Sequence, residues 1–280
     1  MVSYTDLLLV PDSWDWKRDV AGFYETHHNV FLVSAVLFYP VIFGIQYLMK
    51  NKEAFDLGGA KSKAPLNYIF WWEIGLALFS IVGCYHVLPM ALEPILFQGK
   101  SLTETICMDG VHGDSRNIWT LFFMVSKVFE FGDTIFVVLR KKPLILLQHY
   151  HHLATMLYCW YGSRFVYDKN NTNVFFAGMN LAVHSFMYTW YAATRTGWRS
   201  PKPLMIFITL IQLVQMVFGV SIVLISGSNN MASCGKWPRE DAKGYYAALF
   251  MYFSYLILFA KLFYSNYCVK REKRVKQKQN

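Results

Sequence analysis

Seven predominantly apolar stretches of about 20 residues, near 30–49, 66–90, 117–139, 143–162, 174–194, 203–226 and 244–267, fill most of this 280-residue chain. A helix of that length spans the hydrocarbon core of a bilayer, and backbone amides in lipid are satisfied only within helices or closed barrels. The expected fold is therefore an all-α polytopic membrane protein with seven transmembrane helices. Charged residues make up only 16% of the chain, against roughly 25% in soluble domains, which argues against a soluble enzyme. Residues 91–98 prolong the second stretch past Pro89. With no soluble region left over and no internal repeat, residues 1–280 read as a single transmembrane domain, with a luminal N-terminal segment at 1–29 and a cytosolic basic tail at 268–280.

The chain carries 27 Lys and Arg against 18 Asp and Glu. No zinc spacing or RNA-binding signature accompanies that excess, so nucleic acid is not the expected partner; topology explains it better. Seven spans place the two ends on opposite faces. One face collects 16 basic residues, among them Lys50, Lys52, Arg140, Lys141, Lys142, Arg195, Arg199, Lys202 and six in the tail, and the other collects 9. The positive-inside rule then makes the C-terminus cytosolic and the N-terminus luminal or extracellular. The first residues lack a basic region before an apolar core, so no cleavable signal is expected. A glycosylation sequon, Asn170-Asn171-Thr172, falls in a loop on the luminal side. Cys107 and Cys234 also fall in luminal loops, where a disulfide persists; a Cys107–Cys234 bridge is expected, with two free thiols as the alternative.

Ionisable groups within spans cost about 2.5–3.5 kcal/mol each at a helix centre, and by default mark a functional interior. The third span reads Lys127-x-x-Glu130-x-x-Asp133-Thr134, spaced to put all four on one helix face where opposite charges can neutralise. In the fourth, Gln148, His151 and His152 share a face, with His149 to the side. The fifth aligns Asn180, His184, Tyr188 and Tyr191, and the sixth Thr209, Gln212 and Gln215. Four polar stripes cannot all face lipid, so they are expected to converge on a closed polar chamber at membrane depth. For the sixth-span glutamines alone, interhelical hydrogen bonding is an equally good reading.

These stripes resemble the signatures of the ELO family of very-long-chain fatty acid elongases: KxxExxDT at Lys127 to Thr134, HxxHH at Gln148 to His152, NxxxHxxMYxYY at Asn180 to Tyr191 and TxxQxxQ at Thr209 to Gln215. Two positions depart from them. Gln148 replaces the first histidine, keeping hydrogen-bonding capacity without titrating, and Trp190 replaces a tyrosine. His149 is the neighbour that would have to compensate for Gln148, although a helix turns it about 100° away.

The resemblance implies a 3-ketoacyl-CoA synthase, an acyltransferase that joins a long-chain acyl-CoA to malonyl-CoA with release of carbon dioxide and CoA, without a bound cofactor or metal. A neutral buried imidazole can attack a thioester, which makes His151 the expected nucleophile. His152, Asn180 and His184 would stabilise the enolate, Asp133 would orient an imidazole, and Lys127 with Glu130 would hold the charge balance. Thr134, Gln148, His149, Tyr188, Tyr191, Gln212 and Gln215 complete the expected substrate site. Direct attack of the enolate with histidine as base and a thiol nucleophile at Cys159 stay open. Glu73 and Lys261 are further candidates for lining the interior.

Phosphate-bearing CoA substrates need a basic mouth, for which Arg140, Lys141, Lys142, Arg195, Arg199 and Lys202 are candidates, although topology explains the same residues. The acyl tail would lie in a closed tunnel among spans two to seven whose end limits chain length. Lys276 and Lys278 resemble a retrieval signal of the endoplasmic reticulum. The local sequence around the motifs is most like the subgroup acting on saturated and monounsaturated acyl-CoA. Since the 3-keto product needs further reduction, a ketoacyl reductase, a dehydratase and an enoyl reductase are the implied partners, alongside the lipid bilayer; oligomeric state, including a homo-oligomer, stays open. The chain has no GxGxxG fingerprint for a nicotinamide cofactor of its own. Rival readings are a membrane di-iron desaturase or hydroxylase, disfavoured because only eight histidines are present and four lie outside the cluster, and a heptahelical receptor or transporter.

Overall fold

The computed structural model of the protein describes residues 16–59, 62, 67–108, 115–166, 171–230 and 242–269. Their ordered elements are helical: α1 (Trp16–Leu48), α2 (Tyr68–Leu96), α3 (Leu102–Cys107), α4 (Ile118–Phe129), α5 (Phe131–Leu139), α6 (Leu146–Val166), α7 (Thr172–Arg195), α8 (Lys202–Asn230) and α9 (Ala242–Phe263), which runs on into a π-helical turn at Tyr264–Val269. Each of the seven apolar stretches is helical over most of its length. Four segments are long and apolar enough to cross a membrane: Glu25–Leu48, Tyr68–Leu96, Lys202–Gly227 and Lys243–Val269. The others are shorter or more polar. The third stretch is divided between α4 and α5, whereas α6 and α7 carry the histidine and asparagine side chains of the interior.

The outer surface is what a lipid-facing bundle requires. Large apolar side chains such as Val36, Tyr47, Leu78, Phe218 and Phe250 are exposed on several helices, a surface that water would not tolerate. Inside, α2 lies antiparallel along α7, the most extensive helix pairing. Asn67 fixes the end of that pair: its carbonyl oxygen accepts from Phe70 N at 3.1 Å, capping α2, and its amide donates to the Arg195 carbonyl at the end of α7. The main core joins α2, α6, α7, α8 and α9, with Val87, Phe176, Leu181, Val223 and Tyr255 at its centre. A second cluster seats α1 against α5 and α6 through Phe31, Phe38, Phe131 and Trp160, the rings of Phe31 and Trp160 stacking at 3.8 Å.

The first helix starts at Trp16 rather than near residue 30, because the polar residues ahead of the apolar run continue its turns. Here Thr26 returns a hydrogen bond to Gly22 O, and the His27 ring stacks on Phe23. The short α3 is held by a capping box, in which Ser101 Oγ accepts from Glu104 N and the Glu104 carboxylate accepts from Ser101 N. The Ser101 donors favour the ionised form and hold the Glu104 carboxyl below its ordinary pKa.

One close approach between α8 and α9 depends on glycine. A Cβ at Gly219 would overlap the ring of Tyr252, and Tyr252 is itself buried in the main core. Gly219→Ala is therefore expected to destabilise the fold by about 1–3 kcal/mol, read as a lowered unfolding temperature in detergent.

Candidate active site

A cavity of about 420 Å3 opens among α2, α5, α6, α7, α8 and α9. His151 and His152 enter it from α6, and Asn180 and His184, one turn apart, from α7. The polar stripes on the fourth, fifth and sixth stretches thus meet in one place, as helical spacing predicts. The His151 and His152 rings lie 5.6 Å apart and edge-on. Behind His151, Tyr255 packs its ring at 4.8 Å and donates its hydroxyl to the His151 carbonyl at 3.1 Å. Nδ1 of His152 is buried with no hydrogen-bond partner.

A closed set of polar contacts fixes the α7 pair. Lys127 Nζ donates to Glu130 Oε1 at 2.7 Å and to Asn180 Oδ1 at 3.0 Å. With its oxygen so occupied, Asn180 presents Nδ2 to His184 Nε2 at 3.2 Å. An amide N–H can only donate, so this Nε2 must be an acceptor and the ring proton sits on Nδ1. That nitrogen faces Glu130 Oε1 at 3.9 Å. Lys127 and Glu130, only 2% and 3% exposed, support the cavity from behind and do not line it. α4 ends at Phe129, and Glu130, itself in the α-helical region, is the junction before α5. The expected shared face nonetheless holds across this junction, because Lys127, Glu130 and Asp133 meet Asn180, His184 and Tyr188 in succession along α7. Thr134 is fully buried, with an unpartnered hydroxyl, and is likewise absent from the cavity wall.

Asp133 lines the cavity but does not orient an imidazole. Its two oxygens accept from Trp72 Nε1 and from Tyr188 OH, each at 2.7 Å. Trp72 in turn packs on Gly132, where a Cβ would lie 2.6 Å from its ring. The carboxylate partner expected at Asp133 is found instead at Glu130, facing His184.

At one end of the cavity, Glu73 and Arg195 form a two-point ion pair between α2 and α7, with Arg195 Nη2 2.6 Å from Glu73 Oε1 and Nε 3.0 Å from both carboxylate oxygens. Arg140 and Lys142 line the same region. Lys141, Arg199 and Lys202 do not. Lys141 Nζ is spent on the carbonyls of Lys50 and Lys52. Because Glu73 is buried, Arg195→Ala removes its hydrogen-bonded ion-pair partner and is expected to cost about 3 kcal/mol of stability, measured by thermal unfolding in detergent; Arg195→Lys recovers part of it.

Other expected site residues separate in the same way. Gln148, Tyr188, Tyr191, Gln212 and Gln215 line the cavity. His149 does not compensate for Gln148, because its Nδ1 is 3.2 Å from Tyr39 OH on α1. Thr209 bonds to Tyr267 OH, and Trp190 donates to Ser200, both away from the cavity wall. Lys261 is exposed and lines no part of it. Cys107 is disulfide-bonded; Cys234, Asn170, Lys276 and Lys278 lie outside the described residues. Among the described residues, no three His, Cys, Asp or Glu side chains are placed to hold a metal ion. Trp72 and Tyr255 were not anticipated, since an aromatic residue in an apolar span has no distinguishing pattern. Glu73 was visible as a buried charge, but its partner was not.

A smaller cavity of about 40 Å3 continues inward and shares His151, Asn180, Gln215 and Met216 with the larger one. Thr155, Tyr158 and Cys159 line it from α6, and Tyr252 and Tyr255 from α9.

A helical membrane protein with a histidine-bearing cavity among its own helices is the class these features define. Residues 23–276 match the ELO family, described as the GNS1/SUR4 family, and the chain belongs to it. It is 34% identical to very long chain fatty acid elongase 6 of Homo sapiens over 90% of this chain and 89% of that one. It is 32% identical to long chain fatty acid elongase 1 of Caenorhabditis elegans, over 92% and 86%, and 33% identical to very long chain fatty acid elongase 4 of Trypanosoma cruzi, over 92% and 88%. The likeness to fatty acid elongases supports a condensing acyltransferase activity in lipid metabolism.

Proposed function

We propose that this chain is the decarboxylative condensing enzyme of fatty acid elongation, working on long-chain acyl-CoA and malonyl-CoA through an acyl group held on His151. The observation that carries this reading is the convergence of His151, His152, Asn180 and His184 on one cavity. An imidazole nitrogen of His151 attacks the thioester carbonyl, and the C–S bond breaks; CoA leaves as the thiol, taking the proton from the other ring nitrogen. Malonyl-CoA then loses carbon dioxide, and the resulting enolate carbon attacks the acyl carbon. The bond to His151 breaks, and one proton restores the neutral ring.

Within this reading, the unpartnered His152 Nδ1 provides a polar contact for the enolate, while the Lys127–Glu130–Asn180 set holds His184 in one tautomer beside the reacting carbon. Arg140, Lys142 and Arg195 give the end of the cavity beside Glu73 the positive charge that CoA phosphates require. The acyl tail runs past His151 into the smaller cavity. The same reading takes all seven helical stretches as spans, with α1 outside a tunnel formed by the others. It places the protein in the endoplasmic reticulum membrane, N-terminus luminal and C-terminus cytosolic, with no bound cofactor and with the reductases and dehydratase of the elongation cycle as partners.

The test is intact-protein and product mass spectrometry on the purified protein, first with palmitoyl-CoA alone and then with malonyl-CoA added. An acyl adduct localised to His151, discharged by malonyl-CoA into 3-ketoacyl-CoA, is the expected result. Product without an adduct would replace the covalent route with direct attack. Neither adduct nor product across a range of chain lengths would overturn the condensing reading.

A further inference from the structure

The mostly apolar inner cavity includes one lining residue whose polar group a saturated acyl tail would not need. Asn173 lines this cavity from the first turn of α7, seven residues before Asn180. At 1.5 Å of rise per residue, that puts it roughly 10 Å deeper than Asn180 along α7. The residue is only 9% exposed, and its Nδ2 is buried with no hydrogen-bond partner. The Phe176 and Tyr252 rings, 4.6 Å apart, form apolar wall beside it. An orphaned amide donor in an apolar wall costs stability unless something accepts from it, and the methyl end of an ordinary acyl chain cannot.

We propose that the inner cavity selects acyl chains bearing a hydroxyl at or next to the methyl end, with the hydroxyl oxygen accepting from Asn173 Nδ2. This rests on the condensing function proposed above and names the substrate class of the same site. Thr155 and Tyr158 line the same cavity and offer oxygens for the hydroxyl proton. A terminal carboxylate fits less well, because among the described residues no cationic side chain lines the inner cavity and a buried charge without a partner is costly. The polar end thus has to be neutral, able to accept one hydrogen bond and small enough for the space.

The experiment measures condensation with malonyl-CoA for paired substrates of equal carbon number, ω-hydroxyacyl-CoA against unsubstituted acyl-CoA, from octanoyl to hexadecanoyl. The full-length protein is compared with Asn173→Leu, which keeps the side-chain volume and removes the donor. At the length that reaches Asn173, the wild type is expected to favour the hydroxylated member by about tenfold in kcat/KM, the ratio that one satisfied buried donor supplies. Asn173→Leu is expected to reverse the order and leave turnover of shorter unsubstituted chains unchanged. Equal kcat/KM for both members at every length in the wild type would overturn the proposal, with a bound water as the partner of Asn173. The wild-type comparison stands alone if the variant does not fold. If neither member of any pair yields a 3-ketoacyl product, the condensing function itself fails and this inference falls with it.

Discussion

His151→Ala is expected to lower condensation by about 10^3-fold or more, the scale lost when the group that makes or breaks the reacting bond is removed. Its effect on folding should be small. The ring faces both cavities and packs mainly on Tyr255 and Phe259, while the contact that secures this part of α6, from Tyr255 OH, goes to the His151 backbone carbonyl, which the substitution retains. The acyl adduct seen with palmitoyl-CoA alone should vanish in the same variant. Cys159→Ala is the paired control, because Cys159 lines the inner cavity two helical turns from His151. It should retain adduct and turnover. An adduct that survives in His151→Ala and is lost in Cys159→Ala would transfer the nucleophile to the thiol.

The largest stability effect is expected at Lys127. Its Nζ is enclosed by Glu130, Asn180 and the face of the Phe123 ring 4.0 Å away. Lys127→Met removes the cation and leaves the Glu130 carboxylate in the interior with only Ser126 Oγ at 3.2 Å and His184 at 3.9 Å. Breaking such a buried pair from one side costs about 3–5 kcal/mol, enough to abolish folded protein in detergent. The double variant Lys127→Met with Glu130→Leu removes both charges and should recover most of the unfolding temperature. Activity should not return with it. Asn180 has then lost the donor that fixes which end of its amide meets His184, so kcat falls while the substrate KM changes little. Recovery of full turnover in the double variant would show that the pair contributes stability alone and does not position His184.

The contrast between Lys127 and Asp133 shows how far helical spacing reaches. Residues at i, i+3 and i+6 share a face while the helix continues. Across the junction at Glu130 the pattern still holds, since Lys127, Glu130 and Asp133 meet Asn180, His184 and Tyr188 of α7; what the spacing does not give is Trp72 of α2, the second partner of Asp133. Nothing in the spacing marks that junction. On α6 and α7, where the helices run unbroken, the same rule correctly brought Gln148, His151, His152, Asn180, His184, Tyr188 and Tyr191 to one cavity. The basic residues are a different case. Their number was plain, but the sequence did not say which of them face the cavity, because Arg140 and Lys142 do while Lys141 between them caps the carbonyls of Lys50 and Lys52.

That the chain is helical and apolar enough for a membrane, and that its fourth, fifth and sixth stretches carry the polar groups of an interior, is readable from the residues alone. Those properties follow from length, hydropathy and the helical repeat, all of which are local. The partners emerge only once the helices pack: Glu73 with Arg195, Asp133 with Trp72, Asn180 with Lys127, and an Asn173 amide left unsatisfied at the inner cavity. Each pairing joins helices far apart in sequence, or leaves a donor without one, and depends on how α2, α4, α5 and α7 rotate and pack against one another. Rotation about a helix axis is set by the whole set of buried contacts and has no local signature, so the chemistry of the cavity became legible only when the helices were assembled.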